Sequence, residues 1–307
     1  MLKLPEAVAL VLEGTSRPII TDHGLSLLLH NIFETRLVAG RPVALRNKVP
    51  TRGHYLSVLK YLRENEIIQP DADFYRYDDD DHRCAVFQVL GAPDGAPEEI
   101  ASIADPFCYL SHISAMEHHT LVPRNSEELV FSTPAPGIWR GLRDAKMEED
   151  YGPGPQNYDI DELRLPLQRI AFPKIIRGKS LVRHDTKYLD RWTALPGSQV
   201  KVANIGDTFA QMLERPAWCG GMKSVLEIFE RSAEGHRTEV LDAIDRCERP
   251  IVKVRAGYVF EERLHWGDNR ISAWRKYAQR GSSRVLDPER PFAPRFSENW
   301  MLSLNAL

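Results

Sequence analysis

The front of the sequence carries apolar residues at helical spacing, and the order of these stretches restricts the fold. Leu25 to Val38 places its apolar residues on one broad helical face, and Leu56, Leu59 and Leu62 repeat the spacing further on. A shorter helical stretch, Pro5 to Leu12, comes before both. The pattern predicts three helices in the first third of the chain.

Runs of β-prone residues follow the third predicted helix. Ile67-Ile68 and Phe74 to Tyr77 are typical of the two strands of a hairpin, and Val86 to Leu90 of a third strand. Three helices followed by a hairpin is the element order of a winged helix-turn-helix, a fold that binds DNA through its third helix. The hairpin would be the wing.

The sequence from Gly91 to Pro97, GAPDGAP, has the composition of a linker and predicts a domain boundary. We therefore predict an N-terminal winged helix-turn-helix domain at 1–95 and a larger mixed α/β domain at 96–307. The overall class is α/β in the broad sense, with α+β character.

The predicted DNA-binding part is basic. Between Arg17 and Arg63 only Asp22 and Glu34 oppose eight cations, which are Arg17, Arg36, Arg41, Arg46, Lys48, Arg52, Lys60 and Arg63. Neutralisation of phosphates supplies most non-specific affinity for DNA. The residues that we expect to contact DNA are Arg46, Lys48, Thr51, Arg52, His54, Tyr55, Ser57 and Lys60, with Arg76 of the wing on the backbone. The alternative is a helical module that uses the same fold to hold a protein.

An acidic tract argues against close contact between the wing and DNA. Asp78 to Asp81 follow Asp71 and Asp73, and DNA would repel this charge. We interpret the tract as a solvated hairpin tip. The spacing of an EF-hand calcium loop is absent.

The larger domain begins with a predicted helix, Asp105 to Val122, in which Asp105 is the N-cap. Adjacent histidines on a helix point about 100° apart, so His118 and His119 cannot converge on one ion. Cys108 and His112, at i and i+4, could share a metal, but zinc needs three or four ligands, and a buried helix is the better interpretation.

The rest of the larger domain alternates strands and helices. Predicted strands are Glu128 to Thr133, Arg164 to Phe172, Ser180 to Arg183 and Val200 to Val202, and Pro134 to Pro155 has a loop composition. Helical spacing covers Ile205 to Leu213, Met222 to Arg231, Arg237 to Arg246, Ile251 to Leu264 and Asp268 to Arg280. A proline-rich tail in which Trp300, Leu302 and Leu304 alternate is expected to return to the sheet.

The middle of this domain is basic, with nine cations against Asp185 and Asp190 from Arg164 to Lys201. Such a density favours an anionic partner, either nucleic acid or an acidic protein surface. The candidate basic partner surface consists of Lys174, Arg177, Lys179 and Arg183.

Catalytic motifs are absent from the sequence: no GxGxxG opens a helix after a strand, and no GxxxxGK[ST], GxSxG or HExxH occurs. The best enzymatic candidate is Asp185-Thr186-Lys187, since restriction-type nucleases place an acid and a lysine at a strand end to hold a metal. A metal-dependent nuclease using Asp185 and Lys187 is thus the alternative function. The main interpretation is a protein that is not an enzyme and needs no cofactor or metal.

Composition places the chain among cytoplasmic proteins. Four cysteines, Cys84, Cys108, Cys219 and Cys247, lie far apart and form no CxxC pair, which is the usage of a reduced protein. No run reaches the roughly 18 apolar residues of a membrane helix. Glu6 and Pro5 stand where a signal peptide would have basic and apolar regions.

Three segments of the larger domain resemble one known family in the same order. They are YLSHISAMEHHTL, VKVANIGDTFAQMLERPAWCGGMKSVLE, and VRAGYVFEERLHWGDNRISAW followed by LDPERPFAPRFSENWMLSLN. The family is the AbiEi-type antitoxins of type IV toxin–antitoxin systems, related to phage abortive-infection defence. Met116 stands where the family has Leu, Thr120 where glycine is common, and Gly206 and Asp207 replace the customary Glu-Arg-Thr.

This resemblance implies a two-part bacterial regulator. The front domain would bind repeats in its own promoter and repress the operon, and the back domain would antagonise a nucleotidyltransferase toxin. It implies no catalytic residues. The substitution at Gly206 and Asp207 leaves open a transcription factor without a toxin.

Overall fold

The computed structural model of the chain describes residues 1–75, 85–152, 162–279 and 284–306. The predicted α/β class is confirmed, since helices and mixed sheets both occur. The chain forms two compact units: the first unit is Met1–Phe107 with Pro134–Lys179, and the second unit is Cys108–Thr133 with Ser180–Leu307. The predicted boundary between residues 95 and 96 lies within the first unit.

The described residues in the N-terminal part of the first unit form four helices and five short strands. In chain order they are α1 (Leu4–Glu13), β1 (Ile19–Thr21), α2 (Asp22–Thr35), β2 (Leu37–Val38), β3 (Arg41–Pro42), α3 (Arg52–Glu64), β4 (Ile68–Pro70), β5 (Val86–Val89) and α4 (Pro97–Ala104). The three predicted helices correspond to α1, α2 and α3. Apolar residues of these helices, including Leu12, Leu29 and Leu62, form one buried core with β4 and β5.

A three-stranded antiparallel sheet in the order β1-β5-β4 covers one side of this core. The hairpin partner of β4 is β5, with Ile68 opposite Val89. The prediction that Phe74 and Tyr75 begin the second strand is wrong, because the backbone N–H groups of both residues close a turn by donating to the Asp71 carbonyl. Arg76, Tyr77, the tract Asp78 to Asp81, and Cys84 lie outside the described residues.

The connection between α2 and α3 is longer than a tight helix-turn-helix turn. It contains the β2–β3 hairpin, whose two turn residues, Ala39 and Gly40, have positive φ angles of 47° and 73°. Both central residues of a type I′ turn need this conformation, and glycine adopts it without strain. Gly40 therefore turns a hairpin five residues beyond Thr35, the last residue of α2.

The chain next supplies the second unit with β6 (Tyr109–Leu110), α5 (His112–His118) and β7 (Glu128–Pro134). The predicted helix from Asp105 to Val122 is wrong over its first part. Asp105 ends α4, and its carboxylate accepts hydrogen bonds from the backbone N–H of Phe107 at 3.0 Å and from the indole N–H of Trp139 at 3.1 Å. The helix begins only after Ser111.

The chain then returns to the first unit as α6 (Pro136–Tyr151) and β8 (Ile175–Ile176). The loop predicted from Pro134 onward is instead a helix of 16 residues. Pro136 occupies the first turn, where a proline starts a helix rather than breaking it. The strand predicted from Arg164 to Phe172 is also wrong, because those residues form no strand.

The remaining elements belong mainly to the second unit. They are β9 (Lys179–Thr186), β10 (Trp192–Ala194), β11 (Lys201–Ala203), α7 (Ile205–Glu214), α8 (Gly221–Ser232), α9 (Arg237–Arg246), α10 (Pro250–Gly257), α11 (Asn269–Trp274), β12 (Phe296–Ser297) and β13 (Leu302–Ser303). A π-helical segment, Tyr258–Arg263, continues α10. The strands that the second unit contributes to its main sheet lie in the order β10-β11-β6-β7-β9.

The predicted helices of the last third of the chain are confirmed as far as Tyr277, including the separation of α7 and α8 at Gly220-Gly221. Arg280, the predicted end of the last helix, lies outside the described residues. These helices bury one large apolar core, to which the tail contributes Trp300, Leu302 and Leu304. The tail does not return to the main sheet, since β13 pairs with β12. No helix among the described residues has the length and apolar character needed to span a membrane.

Candidate nucleic-acid interface

The N-terminus of α3 is fixed by a capping box in which two predicted DNA contacts take part. The Thr51 hydroxyl accepts from the backbone N–H of His54, and His54 Nδ1 accepts from the backbone N–H of Thr51 at 3.0 Å. The His54 ring also lies 5.1 Å from the ring of Phe33. Thr51 and His54 therefore position the helix.

The inner face of α3 is formed by Tyr55, Val58 and Leu62, which are buried against α1 and the rest of the core. Tyr55 was expected on the outer face. Its hydroxyl instead donates to the carboxylate of Asp22, and burial raises the pKa of both groups. Tyr55 lies three residues after Arg52, which is slightly less than one helical turn. The two side chains therefore lie on adjacent parts of the helix surface.

The outer face of α3 carries Arg52, Ser57 and Lys60, all exposed as predicted from the helical spacing. Leu56 lies among them with 50% of its surface exposed. Lys60 pairs with Glu64 one turn later at 3.7 Å, on the surface. Such exposed pairs contribute little to stability, so Lys60 is free to exchange Glu64 for a phosphate.

Two further cations precede the helix in the connector from α2. Arg46 and Lys48 are exposed, and neither forms an ion pair within the described part of the chain. Arg52 stands in the first turn of α3, where unpaired backbone N–H groups and the helix dipole attract anions. The charge and the helix N-terminus thus favour the same kind of ligand, a phosphate group.

A cleft of about 730 Å³ runs along one side of this face. Arg52, Leu56 and Arg63 line it on the α3 side, and Leu165 and Pro166 line it on the other. The segment that carries Leu165 is anchored within the first unit: Leu163 N–H donates to the Pro50 carbonyl at 2.8 Å. The helix face therefore has a fixed wall on one side.

Side chains of α2 and α6 hold the same segment from behind. His23 Nδ1 lies 2.9 Å from the Leu165 carbonyl oxygen, and the Tyr151 hydroxyl donates to that oxygen at 3.1 Å. His30 bonds the Leu163 carbonyl. His23 also pairs with the nearly buried carboxylate of Asp150 at 3.0 Å. These contacts make α6 and the segment part of the same body as α3.

The proposed basic partner surface is not a set of free charges. Arg177 forms ion pairs with Asp71, Asp73 and Asp94, including 2.6 Å from Nη2 to Asp71 Oδ2. These carboxylates raise the pKa of the Arg177 guanidinium despite its burial. Asp71 and Asp73, which looked like repulsive charge near the wing, are thereby neutralised. Arg177 is a structural residue.

The other three members of that set are divided between the units. Lys174 is exposed and Lys179 is half-buried, both in the first unit. Arg183 belongs to the second unit, where its Nε donates to Asp185 at 3.0 Å.

The nuclease candidate occupies the end of β9. Asp185 is engaged by Arg183, Thr186 is buried, and its hydroxyl accepts from the backbone N–H of Tyr188 at 3.0 Å, which turns the chain at Lys187. Within residues 1–75, 85–152, 162–279 and 284–306, no group of three or more His, Cys, Asp or Glu side chains is arranged to hold a metal. Cys108 lies before β6 and His112 after it, so the helical i, i+4 pair does not form.

A buried polar network in the second unit escaped the sequence analysis. Asp190 Oδ2 accepts from Gln211 Nε2 at 2.8 Å and from the Tyr109 hydroxyl at 3.1 Å, and Asp190 Oδ1 lies 3.5 Å from Arg249. Burial raises the pKa of Asp190. Arg249 also pairs with Glu214. The members of this network lie far apart in sequence. The local patterns around them therefore predicted helices and strands from apolar residues, and not the contacts between the polar side chains.

A second buried polar group links β7 and β9. His184 Nδ1 lies 3.3 Å from the Ser132 hydroxyl, which donates to Ser111 Oγ at 2.9 Å. Burial, with help from Arg215, lowers the pKa of His184 to about 4. Its ring meets Trp218 edge-on at 5.3 Å. These contacts fill the surroundings of the ring, and we assign His184 a structural role.

No protein-family model and no curated protein sequence matches this chain.

Proposed function

We propose that this protein is a DNA-binding transcriptional repressor of the antitoxin type, which represses its own promoter and counteracts a nucleotidyltransferase toxin in the cytoplasm. The observation that carries the DNA-binding half is the outer face of α3. There Arg52, Ser57 and Lys60 are exposed on a helix whose opposite face is anchored in an apolar core.

The element order around this face supports the proposal. Helices α1, α2 and α3 precede the β4–β5 hairpin, and β1 completes the sheet, as a winged helix-turn-helix requires. Arg46 and Lys48 extend the positive charge beyond the N-terminus of α3. Contacts of this kind fix a protein on the duplex, while side chains such as Arg52 read base edges.

The antitoxin half rests on the family resemblance. The segments that carry it contribute α5, α7, α8 and the tail to one core of the second unit, so they belong to one folded body. Toxin neutralisation is tested by co-expression with the product of the neighbouring gene.

The DNA-binding half is tested by titration of the protein's own upstream region against scrambled DNA at two salt concentrations. Specific binding that weakens but persists at higher salt is the expected result. Arg52→Ala should cost about 1–3 kcal/mol on the specific site if Arg52 reads a base, and should weaken all sequences alike if it contacts phosphate.

Lys223→Ala is the matched control, because Lys223 is an exposed cation on α8 of the second unit. Lys223→Ala lowers the net charge by the same amount and should leave the affinity for the specific DNA site unchanged. Equal affinities of wild type and Arg52→Ala for the specific site would remove α3 from the interface.

A further inference from the structure

Arg52, Leu56, Leu59 and Arg63 form one stripe along α3. Their spacing of four, three and four residues returns each side chain to nearly the same direction, since a helix has 3.6 residues per turn. The stripe lies between the buried side of the helix and the side that carries Lys60. All four residues of the stripe line the cleft of about 730 Å³.

The two arginines occupy opposite ends of this stripe. Arg63 follows Arg52 by eleven residues, which is about three turns, or about 16 Å along the helix axis. Both side chains are exposed, and neither forms an ion pair with any residue that the structure describes. Glu64, the residue next to Arg63, pairs with Lys60 instead, at 3.7 Å. Two guanidinium groups are therefore available to a ligand, one at each end.

The acidic side of the lining is weak. Asp22 is the single carboxylate among the described residues that line the cleft, and it accepts a hydrogen bond from the Tyr55 hydroxyl. Burial raises the pKa of Asp22. Two arginines thus oppose one carboxylate that already has a partner. This balance of charge favours an anionic ligand.

The space between the arginines is mainly apolar. Leu56 and Leu59 line it on the α3 side, Leu165 and Pro166 line it on the other side, and Phe87 of β5 also contributes. All of these residues belong to the first unit. Small-molecule sites are typically clefts of this volume, with an apolar lining and a few polar groups that fix the orientation of the ligand.

The wall opposite α3 is in place before any ligand binds. The Leu165 carbonyl accepts from the Tyr151 hydroxyl at 3.1 Å and lies 2.9 Å from His23 Nδ1. Leu163 N–H donates at 2.8 Å to the carbonyl of Pro50, which directly precedes the N-cap of α3. A preformed cleft lowers the entropy cost of ordering the protein around a ligand.

We propose that this cleft binds a small elongated molecule with an apolar body and a carboxylate at each end. The apolar body would cover Leu56 and Leu59, and the carboxylates would pair with Arg52 at one end and Arg63 at the other. A carboxylate balances the single charge of one guanidinium, whereas a phosphate monoester, with a charge of about −1.5 to −2, exceeds it. The inference concerns ligand binding and does not depend on DNA binding by α3.

Two other kinds of occupant fit the cleft less well. A neutral apolar molecule would cover the leucines but would bring Arg52 and Arg63 no partner. A DNA backbone would bring phosphates but no apolar body to cover Leu56 and Leu59. The combination of an apolar stripe with a cation at each end therefore selects the two-ended ligand.

The test titrates the whole protein with dodecanedioate in a calorimeter, at concentrations below micelle formation for every ligand. We expect saturable binding of one molecule per chain. Dodecanoate, which keeps the apolar chain and loses one carboxylate, should bind at least about tenfold more weakly. Succinate, which keeps both carboxylates and loses most of the apolar chain, should also bind at least about tenfold more weakly.

Arginine variants identify the two ends of the site. Arg52→Gln and Arg63→Gln should each lower the affinity for dodecanedioate about tenfold, to the affinity that wild type has for dodecanoate. Arg41→Gln is the matched control, because Arg41 is an exposed cation on the β2–β3 hairpin and does not line the cleft. It should bind dodecanedioate as wild type does.

A leucine variant tests the apolar body of the ligand. Leu56 and Leu90 expose 50% and 41% of their surfaces, but only Leu56 lines the cleft. Leu56→Ser should therefore weaken dodecanedioate binding, and Leu90→Ser should not. All the substituted side chains are exposed, so the variants should keep the unfolding curve of wild type in urea. The three-ligand comparison on wild-type protein decides the matter even where a variant fails to fold.

Four results would overturn the inference. They are the absence of saturable dodecanedioate binding, equal affinities for dodecanedioate and dodecanoate, unchanged dodecanedioate binding in both arginine variants, and tighter binding of a capped Glu-Leu-Leu-Glu peptide. The last result would assign the cleft to a segment of a partner protein.

Discussion

Arg177 and Asp71 form an ion pair across 106 residues of sequence, with Arg177 Nη2 2.6 Å from Asp71 Oδ2. The Asp71 side chain is completely buried, and the Arg177 guanidinium also pairs with Asp73 through Nη1 and with Asp94 through Nε. This contact ties the turn after β4 to the last residues of the first unit. Arg177, which the sequence analysis assigned to a basic surface, therefore holds two distant parts of the first unit together.

Arg177→Ala should lower the free energy of unfolding by about 3–5 kcal/mol, because it leaves the buried carboxylate of Asp71 without its cationic partner. Urea unfolding measures this change. Lys174→Ala, which removes an exposed cation three residues earlier, should change stability by no more than about 0.5 kcal/mol. Equal stabilities for the two variants would contradict the structural role of Arg177.

Tyr55→Phe should lower the stability of the protein without changing its affinity for DNA. Removal of the hydroxyl leaves Asp22 without its donor and should cost about 1–3 kcal/mol of stability. Affinity for DNA, measured by anisotropy well below the unfolding temperature, should stay as in wild type because Tyr55 faces the core. A specific loss of DNA affinity in a stably folded Tyr55→Phe protein would return this residue to the interface.

His184 should make the protein less stable in acid. Its pKa falls from 6.5 to about 4 on folding, so between these values the unfolded chain binds a proton that the folded chain does not. Its contribution is complete above pH 6.5 and is lost as the pH falls toward about 4. Unfolding free energies measured across this range should fall less steeply in His184→Gln.

The matched control for His184 is His265→Asn. His265 is exposed and has a positive φ of 54°, which asparagine tolerates. The pH dependence of His265→Asn should follow that of wild type. A His184→Gln curve parallel to wild type would show that His184 does not supply this part of the acid sensitivity.

Gly206→Ala should destabilise the second unit. A Cβ at this position would lie 2.1 Å from the carbonyl oxygen of Glu239 on α9, a backbone atom that cannot move aside alone. We expect a loss of about 1–3 kcal/mol or more in unfolding free energy. Gly141→Ala meets nothing within 4 Å and should instead stabilise α6 by about 0.5–1 kcal/mol. An unchanged free energy of unfolding in Gly206→Ala would show that α7 and α9 can move apart at little cost.

Local chemistry predicted the helices well. Apolar spacing and Thr51 placed α3, and Gly220-Gly221 placed the break between α7 and α8, because these signals are contained in a few neighbouring residues. The exposure of Arg52, Ser57 and Lys60 followed from the same spacing, although Leu56, which belongs to that spacing, is exposed as well.

What the sequence could not reveal is which distant groups meet. Arg177 looked like a free cation because its acidic partners are about a hundred residues earlier, and Tyr55 looked like a DNA contact because Asp22 belongs to another helix. Proline and glycine content made the start of α6 resemble a loop, although Pro136 occupies the helix-starting position. These errors all come from tertiary contacts or from a residue type with two uses.

The path of the chain through its two units has a consequence for synthesis. The first unit is completed by Pro134–Lys179, which carries α6, Asp150 and Arg177, and the second unit has already begun at Cys108 by then. During synthesis the N-terminal helices therefore lack the partners of His23 and Asp71 until residue 179 has emerged from the ribosome. A nascent chain stopped near residue 95 would contain α3 without the later contacts that complete the first unit.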